Sequence, residues 1–334
     1  METDFHYYCI GVLAQAAGFN IQEALTIAYA SQYVNDATES EPINVGGIIF
    51  DPIRTAHCGL SAIDWNVQKK VYLPFHFLPS KPICEPGDSY TTEPDSEFAV
   101  RLLDEALTEQ PGDFQLIRLG IALHTYADTW SHQGFSGRLN DDNDMVGLWR
   151  CENGNKQQLR EQIIYNCLPK IAHIQAGIFP DRSSAVWEYR KKNMDEAVGR
   201  NNTQILLEGA MKICQRMTAG KNNPSAINLW IILKDRIESC FSNEAAKLED
   251  RCAKWVQTFP DCFPFDKARY DKRAWRRVAL DANGDYSNID WEYLLNTDIR
   301  NLVFSRKPDF NNSKWVLFHR AALKQRNFVV ERLF

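Results

Sequence analysis

The stretch LHTYADTWSHQGF, residues 123–135, decides how this chain is read. It closes a run from Asp113 to Phe135 with apolar residues at helical spacing, bounded by Pro111-Gly112 before it and by Gly134 and Gly137 after it. Proline and glycine there interrupt a helix, and Asp113 is the expected cap. Inside the run, His124, Asp128 and His132 recur every fourth residue. At about 100° per residue they fall at about 0°, 40° and 80° on one face, over roughly 12 Å of helix. Leu119, Ile121, Leu123 and Trp130 make the rest of that helix apolar. Imidazole and carboxylate groups on such a helix are costly to bury without partners, and a metal ion is a partner they suit. One ion cannot easily take both end histidines. Two ions can, with His124 and Asp128 on one, His132 on the other, and Asp128 as the bridge.

Upstream, Phe5 to Ala17 has Cys9, Val12, Leu13 and Ala16 at helical spacing, and Gly18 is placed to stop it. Asn20 with Glu23 reads as a capping box for a second helix ending near Asp36. NVGGIIFDPI, from Asn44, reads as loop or short strand, and Arg54 to Val67 as a short helix. VYLPFHFLP, residues 71–79, is aromatic, broken by prolines and expected to be non-helical. Lys81 to Pro94 is a Pro/Gly-rich loop, and Glu97 to Thr108 an amphipathic helix.

Downstream, Arg138 to Gly154 reads as an acidic, Asn-rich loop, with helices at Gln157 to Ile174 and Ala185 to Val198. Ile205 to Met217, Ser225 to Phe241 and Ala245 to Thr258 are the clearest later helices. The expected fold is therefore all-α: a multi-helix bundle with additional C-terminal helices. Residues 1–200 would form the metal-binding part, and 201–334 a helical region packed on it. Asp281, Asn283, Asp285, Ser287 and Glu292 only partly match a calcium loop. Tyr286 stands where that loop needs glycine, so the segment reads as an ordinary turn.

At 334 residues, 44% hydrophobic and 12% aromatic, the chain can bury a substantial core. Its net charge of -5 offers no general attraction to nucleic acid or anionic lipid. Nine cysteines, an odd number without a CxxC pair, point to free thiols in a reducing compartment. METDFHYYCI has no basic segment before an apolar one, and no apolar run approaches membrane-span length. The expectation is a soluble cytoplasmic protein, with signal-independent export left open.

The other histidines supply further candidate ligands: His6 in TDFHYY, His57 in RTAHCG, and His173. Asp4 lies two residues before His6, Asp36 ends the second helix, and Asp181 follows His173 in FPDRSS. His76 between two phenylalanines and His319 in WVLFHRAAL read as packing residues.

The order His6, Asp36, His57, then His124-xxx-Asp128-xxx-His132 resembles the zinc-dependent phospholipase C and P1-type nuclease superfamily. DFHYYCIGVLAQAAGF, IAYASQYVNDAT and LHTYADTWSHQGF resemble a bacterial and fungal branch of it that includes proposed zinc metallophospholipases C. The resemblance covers roughly residues 1–190. It implies an all-α enzyme with two or three zinc ions. Asp36, His57, His124 and Asp128 would hold one ion, and His6 with Asp128 another. Two features depart from that pattern. The superfamily's N-terminal tryptophan ligand is missing, so that either Asp4 substitutes for it or the third metal is absent, and its later His-xxx-Glu or His-xxx-Asp pair is replaced by His173 with Gly177 and Asp181.

The resemblance implies zinc-assisted hydrolysis of a phosphate ester, with Asp128 bridging and Asp36 or Asp4 orienting the water. The expected substrate is a phospholipid or small phosphodiester, reached by transient membrane contact where it is a lipid. The aromatic 71–79 segment would touch a choline-like head group. A P1-type nuclease is the first alternative, disfavoured by the acidic charge. A non-catalytic, metal-stabilised interaction protein is the second.

Overall fold

A computed structural model describes residues 1–39, 42–56, 60–81, 90–152, 154–159, 167–221, 226–264, 269–282 and 304–334. His57 and the 283–292 part of the acidic turn lie outside the described residues.

The chain opens with a π-helical turn, Asp4–Cys9, that runs on into α1 (Ile10–Ala16). Gly18 ends it at φ +103, a conformation only glycine adopts readily, and Phe19 N–H closes back on Ala14 O. The capping box then starts α2 (Ile21–Tyr33): Asn20 accepts from Gln22 and Glu23 N–H, and Glu23 accepts from Asn20 N–H at 2.9 Å. A short hairpin, β1 (Ile43–Asn44) and β2 (Ile49–Phe50), follows. After α3 (Trp65–Val67) comes a second π-helical turn, Gln68–Tyr72, leading into α4 (Leu73–Phe75). The 71–79 segment is thus helical at its start. Pro74 falls just after the π-helical turn passes into α4, where the helical hydrogen-bond register changes. Its aromatics also face inward, with Phe75 and Phe77 buried, so they are not a surface for a head group.

α5 (Glu97–Leu107) precedes the long α6 (Asp113–Ser131). Gly112 rather than Asp113 is its cap, and Asp113 sits in the first turn, where its charge favours the helix N-terminus. α6 is buried from Leu116 to Ser131 and lies centrally, packed by α2 and α5. From the C-terminal half, α7 (Asn202–Gly220) and α11 (Lys314–Leu333) also pack on it. Between α7 and α11 lie α8 (Ala226–Phe241), α9 (Leu248–Thr258) and α10 (Ala274–Ala279). One continuous apolar cluster reaches from Met1 to Leu333. The seven cysteines among the described residues are free thiols, and no helix among those residues is long and apolar enough to cross a membrane.

The fold is not all-α. Helices take about 53% and strands about 13%, and the described residues form antiparallel sheets of four, two and two strands. The four-stranded sheet has the order β4-β3-β5-β6, from β3 (Met145–Glu152), β4 (Asn155–Gln158), β5 (Val186–Lys191) and β6 (Val198–Asn201). β7 (Leu280–Ala282) pairs with β8 (Phe304–Arg306). The expected loop at 138–154 thus holds β3, and the expected helix at 185–198 holds β5. The physical reason is a period of two. In VWEYRK, Trp187, Tyr189 and Lys191 point inward while Val186 and Arg190 are exposed. The charged run after Lys191 hides that alternation in a helix-length window.

α2 packs tightly against α6 at Gly120. A Cβ there would fall in hard contact with Ile27 O and 2.6 Å from Ala30 Cβ. This approach lets the carbonyl of Ser31 reach His124, one turn beyond Gly120, at 2.8 Å. Gly120→Ala should therefore destabilise the protein by ~1–3 kcal/mol, as overpacking does, and lower the melting temperature. An unchanged melting temperature would show that the helices can separate freely.

His319 on α11 is buried and accepts the Ile53 N–H at Nδ1, 3.0 Å away. Burial pushes its pKa down from 6.5 to about 3, against the Ile53 carbonyl, 3.3 Å from Nδ1, which favours the protonated ring. The unfolded chain therefore binds the proton first as pH falls. The stability tied to neutral His319 is complete above pH 6.5 and is lost between there and about 3. Denaturant unfolding of His319→Gln across that range should show a shallower acid slope than the parent, by at most about 1.4 kcal/mol per pH unit. Parallel slopes would contradict it.

Candidate metal centre

The α6 face read from the sequence points into a cluster of histidines, two aspartates and the Met1 amino group. Asp128 is its centre and is fully buried. Its Oδ1 lies 3.0 Å from the Met1 nitrogen and 3.2 Å from His6 Nε2. Its Oδ2 lies 3.1 Å from His76 Nδ1 and 3.2 Å from His124 Nε2. Asp181 Oδ1 lies 2.9 Å from the same amino group and 3.0 Å from His132 Nε2, and Asp181 Oδ2 lies 3.3 Å from His173 Nε2. Two groups of donor atoms result: His6, His124 and Asp128 in one, His132, His173 and Asp181 in the other.

Backbone carbonyls set the histidines. His124 donates Nδ1–H to Ser31 O at 2.8 Å, and His76 donates Nε2–H to Thr55 O at 2.9 Å. His132 donates Nδ1–H to His76 O at 2.8 Å, and His173 donates Nδ1–H to Gly177 O at 3.1 Å. Each ring is left with its other nitrogen unprotonated and facing the carboxylates. Metal-ligating histidines are held this way. The convergence has a cost without a cation: His76 Nδ1 and His124 Nε2 stand 3.2 Å apart, both against Asp128 Oδ2. Both nitrogens of His6 are buried without a hydrogen-bond partner. The donor set and the orphaned imidazole fit a divalent metal.

Electrostatics agree. Burial holds His124 down at about 4 against the pull of Asp128, and His173 at about 4 against that of Asp181. Burial, His124 and the amino group push His6 well below its usual value. Burial raises Asp128, but His132, the amino group, His124 and His6 outweigh it and hold the carboxyl well below its usual range. Asp181 behaves likewise, with the amino group and His173 as the main opponents of burial. The Met1 amino group is raised to about 10: burial opposes its charge, and Asp128 and Asp181 overcome that opposition. The space between the two carboxylates thus favours a positive charge.

Distant elements build the centre. His6 rides the first π-helical turn, and such turns frequently mark functional sites. Thr125 donates to Phe75 O at 2.9 Å, seating the segment that carries His76 on α6. Gln325 of α11 donates to Pro74 O and Thr125 Oγ1 and accepts from Arg118 at 2.6 Å. Asn202, at the head of α7, donates to Phe179 O at 2.6 Å and Arg182 O at 2.8 Å, fixing the turn that presents Asp181. Arg200 donates to the carbonyls of Trp130, Ser131 and Gln133 at the end of α6.

Of the residues anticipated from sequence, His6, His124, Asp128, His132, His173 and Asp181 come together. Asp4 does not join either group. Its Oδ2 accepts from Ser183 at 2.7 Å and faces Arg251 at 3.7 Å. Asp36 accepts from Tyr270 at 2.8 Å and Gln32 at 3.2 Å. His57 lies outside the described residues. His76, read as a packing residue, is the one that sequence reasoning missed. Flanking phenylalanines suggest core packing; Phe77 does pack, stacking on the His132 ring at 4.4 Å between centroids. No local spacing signals that His76 turns the other way.

Residues 1–333 match a family model described as "Family of unknown function (DUF6765)". The chain belongs to this family. No curated protein and no solved structure matches it.

Because Asp128 touches the first group and the amino group shared with Asp181, Asp128→Asn should lower bound divalent metal by at least one equivalent. Stripping metal with a chelator should lower the melting temperature, since ligands from separate helices are tied through the ion. Metal at 100-fold over its dissociation constant is worth about 2.7 kcal/mol. Metal analysis and thermal melts check both. Unchanged metal content in Asp128→Asn, or a melt indifferent to chelator, would count against the centre.

Proposed function

We propose that the chain is a metal-dependent phosphoric ester hydrolase of phospholipase C type, acting on a phospholipid or other small phosphodiester. The observation that carries this reading is the pair of His/His/Asp groups drawn together between Asp128 and Asp181, with four histidines oriented by backbone carbonyls. The ordered ligands from the sequence resemblance support zinc as the metal.

In this reading His6, His124 and Asp128 hold one ion, and His132, His173 and Asp181 another. Clustered zinc ions would supply charge neutralisation for the phosphate and Lewis acidity toward the attacking water and the leaving oxygen. The residues themselves do the positioning. Asp128 keeps both groups in register from one rigid helix. Asp181, the most open carboxylate of the centre at 26% side-chain exposure, would hold the outer ion on the side nearer solvent.

A single phosphate is the better match than a polynucleotide. Long nucleic acids need a track of cations to replace many counterions, and the net charge is -5. Free thiols at all seven described cysteines support a reducing, cytoplasmic setting. The test is a panel of phosphatidylcholine vesicles, a chromogenic phosphodiester, single-stranded DNA and RNA, each with zinc and with chelator. Zinc-dependent turnover of the phosphodiester and lipid, reduced at least 100-fold in His124→Ala, is expected. Cleavage of nucleic acid alone would move the chain to the nuclease reading. No turnover with two metals bound would establish the non-catalytic, metal-stabilised one.

A further inference from the structure

The two donor groups differ in ligand number and in access to solvent. The inner group has four candidate side chains rather than three. His76 Nδ1 lies 3.1 Å from Asp128 Oδ2 and 3.2 Å from His124 Nε2, close enough to serve the same ion. Four ligands about 2.0 Å from a tetrahedral zinc stand roughly 3.3 Å from one another. His76 Nδ1, His124 Nε2 and Asp128 Oδ2, mutually 3.1 to 3.2 Å apart, have that edge length, and His6 Nε2 meets the carboxylate at its other oxygen, 3.2 Å from Oδ1. His6, His124 and Asp128 are fully buried and His76 is 8% exposed. A four-ligand, buried arrangement is the pattern of a closed site.

The outer group has three ligands, His132, His173 and Asp181, and its side chains are 4%, 17% and 26% exposed. A three-ligand site with solvent on one side keeps a position open for an exogenous oxygen, as catalytic zinc sites do. The two are linked mechanically through one residue. His76 offers its ring to the inner group while its backbone carbonyl sets the tautomer of His132 in the outer one.

We propose that the centre is asymmetric: a closed, slowly exchanging cation site made by His6, His76, His124 and Asp128, and an open, readily exchanging one made by His132, His173 and Asp181 where the phosphate ester docks. This rests on the reading of the two groups as cation sites. It differs from the ligand set the sequence resemblance implies, in which Asp36 and His57, rather than His6 and His76, join His124 and Asp128 around one ion.

The experiment uses the full chain loaded with zinc, then challenged with excess chelator while release is followed with a colorimetric zinc indicator. Two phases of about one equivalent each are expected, separated at least 100-fold in rate. His173→Ala should lose the fast equivalent and retain the slow one. His76→Ala should turn the slow equivalent fast or abolish it. Where His76→Ala fails to fold, His76→Asn, checked by circular dichroism, replaces it. Cobalt substitution gives a second readout: after brief chelation has removed the fast equivalent, the visible bands of the remaining four-coordinate cobalt should persist in His173→Ala and be lost in His76→Asn. Release of two equivalents in a single phase would overturn the asymmetry while leaving the metal centre standing. A slow phase untouched in His76→Ala or His76→Asn would remove His76 from it. Failure to bind any zinc would overturn this proposal together with the reading on which it rests.

Discussion

The Asp128 carboxylate is buried at the centre of the molecule, and much of the surrounding architecture answers the problem of keeping it charged there. A lone buried carboxylate is strongly unfavourable. In this fold its two oxygens meet an amino group and the ring nitrogens of His6, His76 and His124. Those rings are in turn held by carbonyls of Ser31 and Thr55 for two of them, and by stacking of His6 on His124 at 3.8 Å. The π-helical turn at the start of the chain, the close α2–α6 packing at Gly120 and the seating of the 73–76 segment on Thr125 all serve that one group.

The same constraint explains why the C-terminal half cannot be treated as an appendage. Gln325 clamps the segment that carries His76, and Asn202 shapes the turn that carries Asp181. Arg200 places a cation at the carbonyl end of α6, where the helix dipole favours positive charge, and orders the peptide that ends in His132. The four-stranded sheet contributes as well. Trp187 on β5 donates to Asn202 at 3.0 Å, so the sheet braces the residue that braces Asp181. A centre whose ligands come from residues 6 to 181 is rigid only because later helices and strands hold those ligands in place.

Burial divides the cluster along its length. Toward His6 it is sealed by apolar side chains, with Phe5 and Cys9 at 0% exposure beside it. Toward Asp181 and His173 it opens to solvent. The surroundings thus grade from a low-dielectric interior at Asp128 to a partly exposed rim at His173 and Asp181, and that gradient gives chemically similar donors different work.

The sequence by itself determined the central helix and the one-face alignment of His124, Asp128 and His132, because a 3.6-residue period is a local property; the helix stops at Ser131, with His132 as its C-cap, short of the glycine break at Gly134. His6, His173 and Asp181 were legible as residue types, and the ordered pattern of the chain tied them to the helix. Only the tertiary structure decided which groups meet. Asp4 lies two residues from His6 and Asp36 follows the helix that packs on α6, yet Arg251, Ser183, Gln32 and Tyr270 hold their carboxylates elsewhere. His76 looks like packing between two phenylalanines, yet its ring turns to Asp128 because α4 ends at Phe75 and the chain changes direction there. The strands at 145–201 were read as loop and helix because their two-residue alternation is short and followed by charges. Pairing between strands is a long-range interaction that no local window contains. Side-chain direction at a helix end and partner choice between distant segments depend on packing, and packing exists only once the chain has folded.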